Sequence, residues 1–236
     1  MNGSRDIVFL FDVDDTLLDN DAVNADLDAR ITNAFGDAGR KLYRDIYEAL
    51  RERVGYADYL GAIQQFRVRC GDEVRAQDLG QYLLEYPFAE RLYPRALEAL
   101  AHASRLGTAV VLSDGDAVLQ PRKISASGIA DAVDGRVLVY VHKETMLDAV
   151  ERRFPARHYV IVEDKLRVID ALKRHWRDRL TTVFVRQGHY ARDPSALAKY
   201  PAPDIALEGV GDLLTLDADN FRIADRGAAT QAQELS

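Results

Sequence analysis

The sequence is poor in cysteine. Cys70 is the single one among 236 residues, which excludes an intramolecular disulfide and leaves no thiolate cluster for zinc. A reducing compartment, the cytoplasm, is therefore the expected setting. Arg67 and Arg69 give the Cys70 thiol slightly positive surroundings, but a bystander cysteine is the plainer expectation. No apolar run reaches the length of a membrane span. The first apolar run begins at Ile7, too early for a signal peptide to precede it. Dense basic stretches are missing as well. With a formal net charge of −7 spread along the chain, nucleic acid and anionic membrane are not expected partners. No internal repeat or low-complexity tract is found, and the pattern leaves the oligomeric state open.

What is present reads as an ordinary soluble globular chain, 47% hydrophobic and 29% charged. Its length suits one large domain, or a core domain carrying a smaller insertion. The most informative stretch is Ile7-Val8-Phe9-Leu10-Phe11-Asp12-Val13-Asp14-Asp15-Thr16. Its apolar, β-branched and aromatic start predicts a strand buried on both faces. The strand then runs into carboxylates. Asp12 and Asp14 are two apart, so in extended backbone both point to the same side. Two carboxylates crowded at the end of a buried strand repel each other and favour a nearby cation. A solvated acidic loop is the plain alternative.

From Asn20 to Phe88 the strand signal disappears. Val23, Leu27 and Ile31 form one helical stripe, and Leu42, Ile46, Leu50 and Val54 a second. Tyr59, Leu60, Ile63 and Phe66 suggest a third, and Leu79, Tyr82, Leu83 and Tyr86 a fourth. Gly36, Gly55 and Gly71 punctuate them. Strands and helices then alternate. A helix is predicted from Leu92 with Pro94 in its first turn and Gly107 at its end. Strands are predicted at Thr108 to Leu112, Val137 to Val141, Tyr159 to Val162, Thr181 to Val185, and, at an edge, Asp204 to Leu207. Intervening helices run from about Leu119 to Ile129, beyond Lys143, and through Leu166 to Trp176. Residues 224–236 are small and polar and are expected to fray. Alternating strands and helices imply a parallel sheet covered on both faces, with ligands beyond the carboxyl ends of its strands. Asp12, Ser113 and Asp164 each fall just past a predicted strand, and that convergence marks a site without reference to any family.

Asp12-Val13-Asp14-Asp15-Thr16 after a hydrophobic strand resembles the first motif of the haloacid dehalogenase (HAD) superfamily, Asp-x-Asp-x-Thr. Three further stretches match that superfamily's later motifs in order. These are Val110-Val111-Leu112-Ser113, Lys143 ahead of a helix, and Val162-Glu163-Asp164. The resemblance implies an α/β fold, a Rossmann-like parallel-sheet core with an inserted α-helical cap. The core would comprise 1–19 and 89–223, the cap 20–88, and 224–236 a flexible tail.

The resemblance also implies phosphatase chemistry. Asp12 would be the nucleophile, forming an aspartyl-phosphate. Asp14 would protonate the leaving alcohol and then activate water. Mg2+ would be held by Asp12, the Asp14 carbonyl and Asp164. Ser113 and the backbone around Asp114 would bind phosphate, Lys143 would neutralise charge, and Glu163 would support Lys143 or a metal-bound water. The expected partner is a small phosphorylated metabolite. Two departures stand out. Val168 occupies a position where many members carry another Asp, and no Pro follows Lys143, which leaves Lys123 as a rival lysine. Phosphomutase, 2-haloacid dehalogenase and an inactive scaffold used for binding are the alternatives. The first shares every residue named, the second has no need of Asp14, and the third needs none of the set. Arg186 to Tyr190 could also line the cleft, or be an ordinary polar loop.

Overall fold

The structure, a computed structural model, describes residues 7–221. The proposed 224–236 tail, and residues 1–6 and 222–223 of the proposed core, lie outside the described residues.

The centre of the molecule is β1 (Ile7–Phe11), in which every residue is buried. It pairs in parallel with β2 (Thr108–Asp114) on one side and β4 (His158–Glu163) on the other. With β3 (Val137–Tyr140), β5 (Leu180–Val185) and β6 (Ile205–Leu207), the sheet has the order β3-β2-β1-β4-β5-β6, all neighbours parallel. The chain builds outwards one way from β1 to β3 and the other way from β4 to β6. The switch point therefore lies between β1 and β4, where crevices form beyond the strand ends.

Side chains alternate strictly across the sheet. Phe9, Phe11, Ala109, Val111, Val160 and Val162 pack on one face with Ala99, Leu100 and Ala103 of α4 (Ala96–Leu106) and Leu119 and Ile124 of α5 (Leu119–Ala126). A short turn of helix, α6 (Ile129–Ala132), follows α5. Val8, Leu10, Val110, Leu112, Tyr159 and Ile161 pack on the other face with Leu147 and Val150 of α7 (Leu147–Arg153) and Val168, Leu172 and Trp176 of α8 (Leu166–Trp176). This is why the strands read as continuous apolar runs: both halves of the two-residue period are buried. Each buried Val, Leu, Ile or Phe among them contributes about 1.5–3 kcal/mol. Trp176 lies flat on Tyr159 with ring centroids 4.3 Å apart. It is core, as its helical spacing from Leu172 suggests.

Between β1 and β2 lies the helical insertion, α1 (Asn20–Val54), α2 (Tyr59–Arg69) and α3 (Glu73–Leu84). The first two predicted stripes are joined in α1, but not as a straight helix: Gly36 breaks it with φ 70 and ψ −177. That backbone conformation is essentially restricted to glycine. Asp19, Asp58 and Asp72 cap the three helices, each carboxylate accepting a first-turn amide at 2.8, 2.8 and 3.0 Å. Tyr43, Ile46, Ile63 and Phe66 fill the centre of the insertion, with Phe35 set edge-on to Phe66 at 5.0 Å. Its two connections to the sheet are pinned together. Leu18 pairs antiparallel with Leu92, Asp19 N donates to Arg91 O at 2.7 Å, and Tyr93 N donates to Leu17 O at 2.9 Å.

Several boundaries differ from expectation. β2 runs on to Asp114, because its end still pairs with β3, so Ser113 lies within the strand rather than just past it. β4 and β5 each begin a residue early, β4 also ends a residue late at Glu163, and β6 begins a residue late. Pro94 is not in the first turn of α4, because Arg95 adopts φ 64 and the helix begins at Ala96. The helix predicted from Leu119 to Ile129 stops at Ala126, and Gly128 turns the chain at φ 80 into α6. β3 ends at Tyr140, one residue short of Val141. Among the described residues no helix is long and apolar enough to cross a membrane.

Candidate active site

Three strand ends converge. β1 delivers Asp12, β2 delivers Ser113 and Asp114, and β4 delivers Glu163 and Asp164. Lys143, in a turn of 3-10 helix after β3, completes the group. Its ammonium is 1% exposed; it touches Asp12 Oδ1 and lies 2.6 Å from Glu163 Oε2. Burial by itself would pull the Lys143 pKa down, but Asp12 and Glu163 outweigh it and hold the ammonium above its ordinary range. The lysine therefore stays charged and fully engaged. The rival Lys123 does not touch Asp12. Its buried ammonium lies 2.6 Å from Asp14 Oδ1 and 2.9 Å from Asn20 Oδ1.

The remaining residues separate into two groups. Asp12, Glu163 and Asp164 present oxygens within 4.8 Å of one another, all buried. Among the described residues, Asp12 Oδ2 and both Asp164 oxygens have no hydrogen-bond partner. Burial, opposed by Lys165 and reinforced by Glu163 and Asp12, pushes the Asp164 carboxyl well above the usual range. Bare buried carboxylates are costly. An all-oxygen donor set with this surplus of negative charge fits a hard divalent cation. Asp14 forms the second group. Its carboxylate is turned towards Lys123 and towards Gln120 Nε2 at 3.4 Å.

The expected phosphate cradle is partly different. Ser113 is buried; its Oγ accepts from Gln120 Nε2 at 2.9 Å and donates to Asp114 O at 3.2 Å. The Gly115 amide, expected to be exposed to phosphate, donates to Tyr140 O at 2.9 Å because the end of β2 still pairs with β3. Asp114 instead fixes the turn that carries Lys143, its Oδ1 accepting from Lys143 N at 2.7 Å. Burial, countered by Lys143, lifts the Asp114 carboxyl to about 6.

Sequence reasoning passed over several residues here. Lys165 directly follows the acidic pair and lies 3.9 Å from Asp164 Oδ1; a cation so close to a buried carboxylate pair is the signal it offered. Gln120 lies on the buried face of α5, three residues before Lys123, which was weighed only as a rival to Lys143; polar residues there, where helical periodicity calls for apolar ones, were the signal. Asp15 is buried with φ 61 and accepts the amides of Asn20 and Asp21 at 3.0 and 3.1 Å. Gly188 packs so closely that a Cβ there would come within 2.4 Å of Asp15 Cβ. Burial, then Asp21 and Asp14, raise the Asp15 carboxyl to about 7.

The loop after β5 does reach the cleft. Arg186 pairs with Glu208 at 3.0 Å on the surface, but His189 Nδ1 meets Asp21 Oδ1 at 2.6 Å and Tyr190 accepts a hydrogen bond from Arg51. A cavity of about 400 Å³ opens between sheet and insertion, lined by Asp14, Asp15 and Lys165 on one side and Tyr47, Arg51 and Tyr56 on the other.

A parallel sheet whose switch-point crevice holds four converging motif positions, with a helical insertion after the first, defines a HAD-type α/β hydrolase. The chain belongs to the haloacid dehalogenase-like hydrolase family, matching it over residues 8–175. Its fold superposes with TM-score 0.86 on a protein from Burkholderia xenovorans LB400 described as a haloacid dehalogenase-like hydrolase. That protein is 54% identical, with 91% of this chain and all of that one (100%) covered. The fold is also similar, at TM-score 0.60 and 19% identity, to the L-2-haloacid dehalogenase of Xanthobacter autotrophicus, covering 89% of this chain and 97% of that one. At TM-score 0.59 and 17% identity it is similar to the HAD hydrolase YfnB of Bacillus subtilis, solved with magnesium, covering 90% and 100% respectively. A comparison with curated proteins finds no match.

Proposed function

We propose that this hydrolase is a magnesium-dependent phosphatase acting on a small phosphate monoester through an aspartyl-phosphate on Asp12. The observation that carries the reading is the set of buried oxygens without donors, Asp12 Oδ2 and both of Asp164, beside an ammonium already committed to Asp12 and Glu163. Asp12, Asp164 and the main-chain carbonyl of Asp14 would hold the ion, which would offset charge on the phosphoryl oxygens. Glu163 braces Lys143, as its 2.6 Å contact supports.

In the first half-reaction an Asp12 carboxylate oxygen attacks phosphorus as the ester P–O bond breaks, and Asp14 gives its proton to the departing oxygen. In the second, Asp14 takes a proton from water, the water oxygen attacks phosphorus, and the bond to Asp12 breaks to release phosphate. To reach the leaving oxygen Asp14 exchanges one of its present partners, Lys123 or Gln120. Ser113 turns its hydroxyl from Asp114 O to a phosphoryl oxygen, and Lys143, in contact with Asp12, offsets negative charge there and on the phosphoryl group. The insertion 20–88 acts as the cap over this site. A 2-haloacid dehalogenase would use Asp12 alike, attacking carbon and releasing halide, but has no need of the acid Asp14 or of a cation at Asp164.

The test is phosphate release from a panel of phosphorylated metabolites with magnesium and with EDTA, set beside chloride release from 2-chloropropionate. Magnesium-dependent phosphate release, abolished in a folded Asp12→Asn variant, is expected. Chloride release that persists in EDTA, with no ester cleaved, would replace this reading with the dehalogenase one.

A further inference from the structure

Resting on the phosphatase reading, we infer that the leaving group this site takes is a planar aromatic ring bearing a carboxylate, held by Arg51 and a set of tyrosines. Four partly buried tyrosines, Tyr47 and Tyr56 from the insertion and Tyr190 and Tyr200 from the sheet side, line the cavity of about 400 Å³ that begins at Asp14. That volume suits a small organic molecule rather than a polymer. Tyr47 is already stacked on the fully buried Tyr59, with centroids 5.1 Å apart. The Arg51 guanidinium lies 5.6 Å and the Lys165 ammonium 5.2 Å from the Tyr190 ring centre. Rings of this kind receive another ring edge-on or offset, and their hydroxyls donate to its oxygens.

The charge argument picks out one cation. Four basic side chains line the cavity, Arg51, Lys165, Arg167 and His189, and His189 meets Asp21 at 2.6 Å. Arg167 pairs with Glu144 at 2.5 Å, and Lys165 faces the buried Asp164. Arg51 has, among the described residues, one carboxylate neighbour, Glu48 at 3.6 Å, whose side chain is 60% exposed. Its hydrogen bond goes to a phenol, Tyr190. A guanidinium bonded to a phenol gains by exchanging it for a carboxylate, since the charge-assisted, bidentate pair is the stronger. Arg51 lies on α1 and Tyr190 after β5, so a carboxylate taken between them also ties insertion to sheet over the reacting phosphoryl group.

The test compares 4-carboxyphenyl phosphate, phenyl phosphate and glycerol 1-phosphate as substrates, and measures calorimetrically the binding of 4-hydroxybenzoate, the alcohol the first would release. For the wild-type protein, kcat/KM is expected to fall in that order, with the carboxylate worth at least about tenfold. Arg51→Met should erase that preference and the binding of 4-hydroxybenzoate; Arg51→Lys should restore part of both. Equal rates for the carboxylated and plain phenyl esters, or a preference that survives Arg51→Met, would overturn the inference while leaving the phosphatase intact. If no ester is cleaved but 4-hydroxybenzoate binds and depends on Arg51, the phosphatase reading fails and the site stands.

Discussion

At the scale of single residues, Asp15 combines two costs. It adopts left-handed backbone at φ 61, and its buried carboxyl titrates at about 7 where the ordinary value is 3.8. Between those values the folded chain keeps a proton that the unfolded chain has lost. Stability therefore falls as pH rises through this window, the penalty being full above about 7 and absent below 3.8. Asp15→Asn keeps the acceptor for the amides of Asn20 and Asp21, tolerates left-handed backbone, and cannot ionise. In urea unfolding, the wild type should lose on the order of 2 kcal/mol more than the variant between pH 5 and pH 8; equal losses would show that Asp15 is not the titrating group. Asp15 also marks where sequence reading stops at this scale. Asp12, Ser113 and Asp164 were legible because predicted strand ends expose them, and Lys143 through the resemblance to the HAD motifs. The side-chain directions of Asp14, Lys123 and Gln120 were not, because they depend on how α5 meets the start of α1, a contact between segments about a hundred residues apart.

At the scale of elements, apolar periodicity located every strand to within a residue or two: β1, β2, β4 and β5 are buried on both faces, while β3 and β6, at the sheet's edges, are short and mostly unburied. Helix ends were less legible. Pro94 matches the preference for a helix's first turn, yet the left-handed Arg95 follows it and delays α4 to Ala96. The pairing of Leu18 with Leu92 holds this connection extended, and Tyr93 N is already bound to Leu17 O; tertiary pairing overrides local preference. Within α1, the glycine signal at Gly36 was accurate as a break and silent about the helix resuming beyond it. A Cβ at Gly36 would meet nothing within 4 Å, so the requirement is one of backbone alone. Gly36→Ala should cost about 1–3 kcal/mol in urea unfolding. No loss would mean the break is not needed and α1 can straighten.

At the scale of the whole molecule, the sheet is graded from a fully buried centre to a thin edge. β1, β2 and β4 are almost wholly buried, whereas β6 has three residues with none buried. Native-state hydrogen exchange should accordingly find the slowest amides in β1 and β4 and the fastest strand amides in β6; comparable protection across all six would contradict this grading. The same architecture gathers residues from four separate stretches at the carboxyl end of the sheet, and the proposed two-step transfer through Asp12 would draw on all four. The most direct measurement of that claim is rapid acid quench during turnover of a phosphate ester, followed by borohydride reduction and peptide mapping. An acyl phosphate at Asp12 is reduced to homoserine, so the account predicts homoserine at position 12 in the wild type and none in Asp12→Asn. Steady phosphate release with Asp12 recovered unmodified, or with the reduced residue elsewhere in the chain, would contradict it.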